Sequence, residues 1–98
     1  MLVHIVADRQ SKISELRSLL GSQHRMTLAL LDGDVTATEC DVAITAADLR
    51  VADNIAALKE ISAQFKGTRR RVFVIDRKAR LLAAQAYALG ATHDYSVL

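Results

Sequence analysis

Asp8, Asp48 and Asp76 each directly follow a short apolar run, Leu2–Ala7, Val42–Ala47 and Val72–Ile75. Carboxylates at the ends of neighbouring strands can do two kinds of chemistry. They can hold a hard divalent cation, which takes several oxygen ligands. With that cation offsetting charge, one of them can also accept a phosphoryl group. Their plainer role is structural, since aspartates cap helices and turn loops. That plainer role is the one favoured here, so no metal and no cofactor are expected.

Other chemistries have less support. His4, His24 and His93 are far apart, and Cys40 has no cysteine partner, so neither a zinc site nor an intrachain disulfide is expected. Gly21, Gly33, Gly67 and Gly90 stand singly, as turns or caps do, and none opens a phosphate-binding loop. No Ser–His–Asp arrangement has local support. His4, inside the first run, reads as a packed histidine with a hydrogen bond. His93 and Asp94 read as a local polar pair, and Cys40 as a small hydrophobe beside the third strand. Enzyme chemistry is therefore not expected of this segment.

The elements that must position the aspartates alternate in kind. Leu2–Ala7, Met26–Leu31, Val42–Ala47, Val72–Ile75 and Asp94–Leu98 read as strands. Between the first two, Ile13, Leu16, Leu19 and Leu20 recur at helical spacing up to Gly21. Ile55, Leu58, Ile61 and Phe65 mark a second helix before Gly67. Ala79, Leu82, Ala86 and Leu89 mark a third, over Lys78–Leu89, with Asp76 placed to cap it and Gly90 to stop it. Asp32, Gly33 and Asp34 close the second strand as a turn. Only about ten residues then separate the second and third strands, near the minimum for a parallel connection, so this crossover is expected to be reduced.

Alternation of this kind calls for a parallel sheet with right-handed crossovers. The composition agrees: 51% of residues are apolar but only 4% aromatic, so the core is built from Ala, Val, Leu and Ile, as in a sheet buried on both faces. The 98 residues suffice for one domain. A net charge of +2 is too small to imply nucleic-acid binding. The densest basic run, Lys66, Arg69, Arg70 and Arg71, has no interleaved aromatic residue and reads as a solvated helix end. The first run is too short to span a membrane, and the lone thiol with no leader fits a cytoplasmic setting.

Several stretches resemble the receiver domain of bacterial two-component response regulators. Val3–Asp8 (VHIVAD) resembles its first strand, which ends in an acidic pair. Asp41–Ala46 (DVAITA) resembles its third, which ends in the phosphorylated aspartate. Ala86–Tyr95 (AYALGATHDY) resembles a helix ending in Leu-Gly-Ala followed by Asp-Tyr and the fifth strand. The resemblance implies a flavodoxin-like, doubly wound five-stranded sheet of order 2-1-3-4-5.

It also implies a pocket whose parts are mostly missing. The first acidic position falls on Ala7, with Asp8 remaining. The phospho-acceptor falls on Ala46, the Thr or Ser position on Asp76, and the lysine position on Leu98. A second alignment is open, because Asp48-Leu49-Arg50 resembles the residues that begin at the acceptor. Anchoring there would make Asp48 the acceptor, with a longer third strand.

The expectation is thus a degenerate pseudo-receiver that regulates by protein contact or self-association, without phosphorylation. It would act ahead of a downstream output domain such as an HD-GYP phosphodiesterase, a diguanylate cyclase or a DNA-binding domain. Two alternatives stand beside it: a working receiver phosphorylated on Asp48, and a small-ligand-binding flavodoxin-like domain. The family's usual helix after the fifth strand has no counterpart in the sequence, which reads as the N-terminal piece of a longer protein. The expected interface therefore combines Tyr87, beside the small Ala84 and Ala88, with Tyr95 and Val97 of the last strand.

Overall fold

The computed structural model describes residues 2–21, 25–31, 40–63, 67–76 and 82–97, with the backbone alone for residues 76 and 95–97. Five strands, β1 (Leu2–Ala7), β2 (Arg25–Leu30), β3 (Val42–Ala46), β4 (Arg70–Asp76) and β5 (His93–Val97), form one parallel sheet of order β2-β1-β3-β4-β5. The helices are α1 (Gln10–Leu20), α2 (Ala52–Ser62) and α3 (Ala83–Ala88). This is the parallel α/β sheet expected from the alternation of elements, in the flavodoxin-like order that the resemblance implied. The Asp32–Asp34 turn, the reduced second crossover, Phe65, Leu98 and the start of the Lys78–Leu89 helix lie outside the described residues.

Alternation along the strands assigns side chains to two faces. Ile5, Ile44 and Val72 are register partners across β1, β3 and β4. On their face Val3, Ile5, Ala7, Ile44 and Ala46 pack with Ile13 of α1, and Leu16 and Leu20 pack against that cluster. On the opposite face Phe73 and Ile75 of β4 meet Leu58 of α2, Ala86 of α3 and Leu89 just after it. Val6, Ala43 and Ile61 form a smaller cluster, with Cys40 packed against it as the sequence suggested. Full burial of each Val, Leu, Ile or Phe side chain among these contributes about 1.5–3 kcal/mol.

The helix ends follow local chemistry. Gly21 ends α1 at φ +70° and donates its N–H to Arg17 O at 3.0 Å. Gly90, at φ +106°, takes a conformation that L side chains rarely adopt just after α3. Leu82 is partly buried, Ala86 and Leu89 are buried, and Tyr87 is 47% exposed, so Tyr87 lies off the core stripe as expected.

The basic run departs from its expected role. Arg70 and Arg71 belong to β4, and the Arg71 side chain reaches into the sheet's helix-covered side. Its Nε donates to Gly90 O at 2.5 Å, and its Nη1 to Thr68 O at 2.8 Å. The same residue's backbone N–H donates to Thr92 Oγ1 at 2.8 Å, and Thr92 N donates to Arg71 O at 2.8 Å. The guanidinium thus bonds the chain just past α2 and just past α3, where carbonyls lack helical partners. Charge-assisted bonds of this kind contribute about 1.5–3 kcal/mol each, so Arg71→Met should lower stability by about 3 kcal/mol in a urea titration. A loss within about 0.5 kcal/mol, the range of an ordinary surface change, would refute this role.

His4 is buried at the centre of the β1–β2 pair, with its Nδ1 hydrogen-bonded to the hydroxyl of Thr27, its register partner. Burial pushes its pKa below the ordinary histidine value, because the charged form is poorly solvated there. The unfolded chain therefore binds the proton more readily. His4's contribution is complete above the unfolded pKa of about 6.5 and is lost as pH falls below it. His4→Gln should flatten the loss of stability between about pH 6.5 and 5. Parallel wild-type and variant profiles would show that His4 does not control that window.

Candidate functional site

The sheet order creates a switch point between β1 and β3, whose onward connections run to opposite sides, and ligands of open α/β sheets bind at such points. The two strand ends meet there as methyl groups. Ala7 and Ala46 are register partners, 0% and 3% exposed, and Asp8 N donates to Ala46 O at 3.2 Å. This register ends β3 at Ala46 and leaves Asp48 in the turn beyond it. The longer third strand required by the alternative alignment is not formed.

Asp8 is the centre of the polar cluster. Its Oδ2 accepts the backbone N–H of Asp48 at 3.0 Å and the side-chain amide of Asn54 at 3.2 Å. Its Oδ1 lies 2.9 Å from Lys12 Nζ, one helical turn further on. Burial alone would push its pKa up. The Asp48 N–H and the Lys12 ammonium outweigh that and hold it below the usual carboxylate value.

Asp48 is tied to its own turn. Arg50 donates its backbone N–H and Nε to Asp48 Oδ1 at 3.0 and 2.9 Å, and its Nη2 to Oδ2 at 3.2 Å. The bond from residue i+2 to the carboxylate makes an Asx-turn. Arg50's side-chain bond leads in lowering the Asp48 pKa. Asp48 therefore turns a loop, as one structural reading had it. Asp8 does not cap a helix: the N-cap of α1 is Arg9, and no side-chain cap bond is made there.

The structure thus gathers Ala7, Asp8, Ala46 and Asp48 at one edge. The backbone of Asp76 ends β4 along the same edge of the parallel sheet. Leu98 lies outside the described residues. Asn54, Lys12 and Arg50 complete the cluster and were not singled out from the sequence. The Asp8–Lys12 spacing of four was legible as a helical ion pair. The reach of Asn54 back to Asp48 O at 3.1 Å had no sequence signal. Among the described residues no group of three or more His, Cys, Asp and Glu is placed to hold a metal ion.

Of the expected interface, Tyr87 is exposed on α3 and donates its hydroxyl to Asp94 Oδ1 at 3.1 Å, while Ala84 and Ala88 are exposed beside it. Asp94 therefore pairs with Tyr87 and not with His93, whose Nδ1 meets Thr92 Oγ1 at 2.9 Å. Tyr95 and Val97 occupy β5 positions paired with Val74 and Asp76, and their side chains lie outside the described residues. No helix among the described residues is long and apolar enough to cross a membrane.

The cluster sets the acid response. With its folded pKa depressed, Asp8 contributes stability above the unfolded carboxylate value of about 3.9 and loses it as pH falls through the folded value. Asp8→Asn should cost about 1 kcal/mol at pH 7, where the partly exposed Lys12 pair is screened. The gap to wild type should close as pH drops below about 4. A gap that persists unchanged in acid would mean that shape, and not charge, carries the contribution.

No protein-family model matches the chain, and no curated protein and no solved structure matches it either.

Proposed function

We propose that this domain is a pseudo-receiver: a regulatory module that works by protein contact, without phosphorylation, and controls a downstream output domain. The observation that carries this reading is the methyl-for-carboxylate pairing of Ala7 and Ala46 at the switch point. Phosphoryl transfer to a carboxylate depends on a cation to offset charge. At the ends of β1 and β3 the side chains offer no oxygen ligands, and the carboxylate of Asp8 is held by Lys12, Asn54 and the Asp48 N–H.

The working-receiver alternative rests on Asp48. Its carboxylate is bonded on both oxygens by Arg50, which depresses its basicity and holds it in its own turn. The small-ligand alternative has a cleft between α2 and α3, lined by Leu58, Ile61, Phe73 and Leu89. Arg71, its charged lining residue, is engaged by Gly90 O and Thr68 O. Both features favour the contact reading.

The contact surface we assign is the exposed side of α3 beside β5. Tyr87 supplies a half-exposed aromatic anchor, and Ala84 and Ala88 permit close approach. The last strand is a sheet edge, open to a protein partner or a second copy. Sedimentation equilibrium should show association that is unchanged by acetyl phosphate with Mg²⁺ and weakened at least fivefold, about 1 kcal/mol, by Tyr87→Glu. A phosphoryl adduct on Asp48 in the same samples would sink the pseudo-receiver reading. Indifference to Tyr87→Glu would sink the assigned surface.

A further inference from the structure

We propose that Lys12 is a charge latch on the β3–α2 turn: its ammonium fixes Asp8, and Asp8 fixes where the turn sits and where α2 begins. The latch stands on geometry and does not depend on the regulatory reading. Three elements converge on one carboxylate that is 12% exposed. Lys12 approaches from α1 on Oδ1. Asp48 N–H and Asn54 Nδ2 approach from the turn and from α2 on Oδ2.

The start of α2 has no side-chain cap of its own and is held through the turn before it. Its N-cap residue is Val51, 43% exposed, and no side-chain cap bond is made there. Asn54, three residues on, instead donates to Asp48 O at 3.1 Å and to Asp8. Leu49 anchors the turn from below, 4% exposed among Ala47, Leu58, Phe73 and Ile75. The apolar anchor holds the turn to the sheet, while the Asp8 contacts decide its polar side. A carboxylate this enclosed needs a cation close by, and Lys12 is the one within 4 Å among the described residues. Without it, Asp8 is driven toward solvent or toward its neutral form, and its two bonds to the turn weaken together.

The outcome is a local conformational device. The segment Asp48–Val51 carries exposed Arg50 and Val51 at the sheet's C-terminal edge. The Asp8 contacts add to the Arg50–Asp48 bonds and the Leu49 anchor in holding it. Lys12 acts through Asp8 and is thus a positioning residue.

Amide hydrogen exchange on the full chain tests this. Lys12→Met should speed exchange at the Asp48 amide about tenfold, as expected when a charge-assisted bond is lost. The Thr92 amide, which donates to Arg71 O at the other end of the sheet, should not change. Lys12→Arg, which keeps the charge, should restore slow exchange at Asp48. Unchanged exchange at Asp48 in Lys12→Met would overturn the latch, as would equal acceleration at Thr92 or failure of Lys12→Arg to rescue. None of these outcomes bears on whether Asp48 can be phosphorylated.

Discussion

Burial of β1 and β3 on both faces is the constraint from which the rest of this structure follows. A strand covered on both sides cannot alternate polar and apolar residues, and Val3 to Ala7 are all buried, as are Ala43 to Ala46. The helices must then lie on opposite faces, which fixes the doubly wound order and places the switch point between these two strands. Two buried strand ends also have little tolerance for charge, because an isolated carboxylate there would be poorly solvated. Ala7 and Ala46 meet that requirement with methyl groups, and the first charge appears at Asp8, one residue past the strand.

That single step outward explains the character of the site. Asp8 is close enough to the sheet to be mostly covered, so it must be matched by donors, and far enough out for α1, the turn and α2 to supply them. The depressed pKa values of Asp8 and Asp48 record the matching. An edge of this kind holds its carboxylates with the chain's own donors and cations. It favours holding a shape over exchanging ligands, and this is the physical basis for preferring contact to chemistry.

The sheet was legible because its signal is redundant. Each strand is a short apolar run and each described helix has a 3.6-residue stripe, while the strand order came from the receiver resemblance. Strand bounds moved by a residue or two, with β4 extended by Arg70, Arg71 and Asp76, since the ladder continues where hydrophobicity stops. Ala7, Asp8, Ala46 and Asp48 lie at one edge because the ends of parallel strands converge there. What stayed illegible was side-chain partnership across sequence distance. Arg71 looked like one cation in a solvated run, yet it bonds carbonyls 3 and 19 positions away. Asn54 looked like an ordinary polar residue in the first turn of a helix, yet it reaches Asp8 over 46 positions. Such pairings depend on which turn approaches which strand end, and local pattern does not encode that.

The two ends of the sheet also answer each other electrostatically. Helices that return antiparallel to parallel strands place their N-termini at the strands' C-terminal edge, where the macrodipole favours anions. Asp8, Asp48 and Asp53 gather at that edge, beside the starts of α1 and α2. At the opposite edge, where the helices end and carbonyls lack partners, Arg17 and Lys59 stand in the last turns and Arg71 bonds the carbonyls beyond. The same arrangement that makes such edges attractive to anions in a ligand-binding fold is satisfied here by the chain's own carboxylates. A phosphate approaching the C-terminal edge would meet Asp8 and Asp48 already in that favourable field. The helix dipoles at this edge therefore act on the chain's own anions.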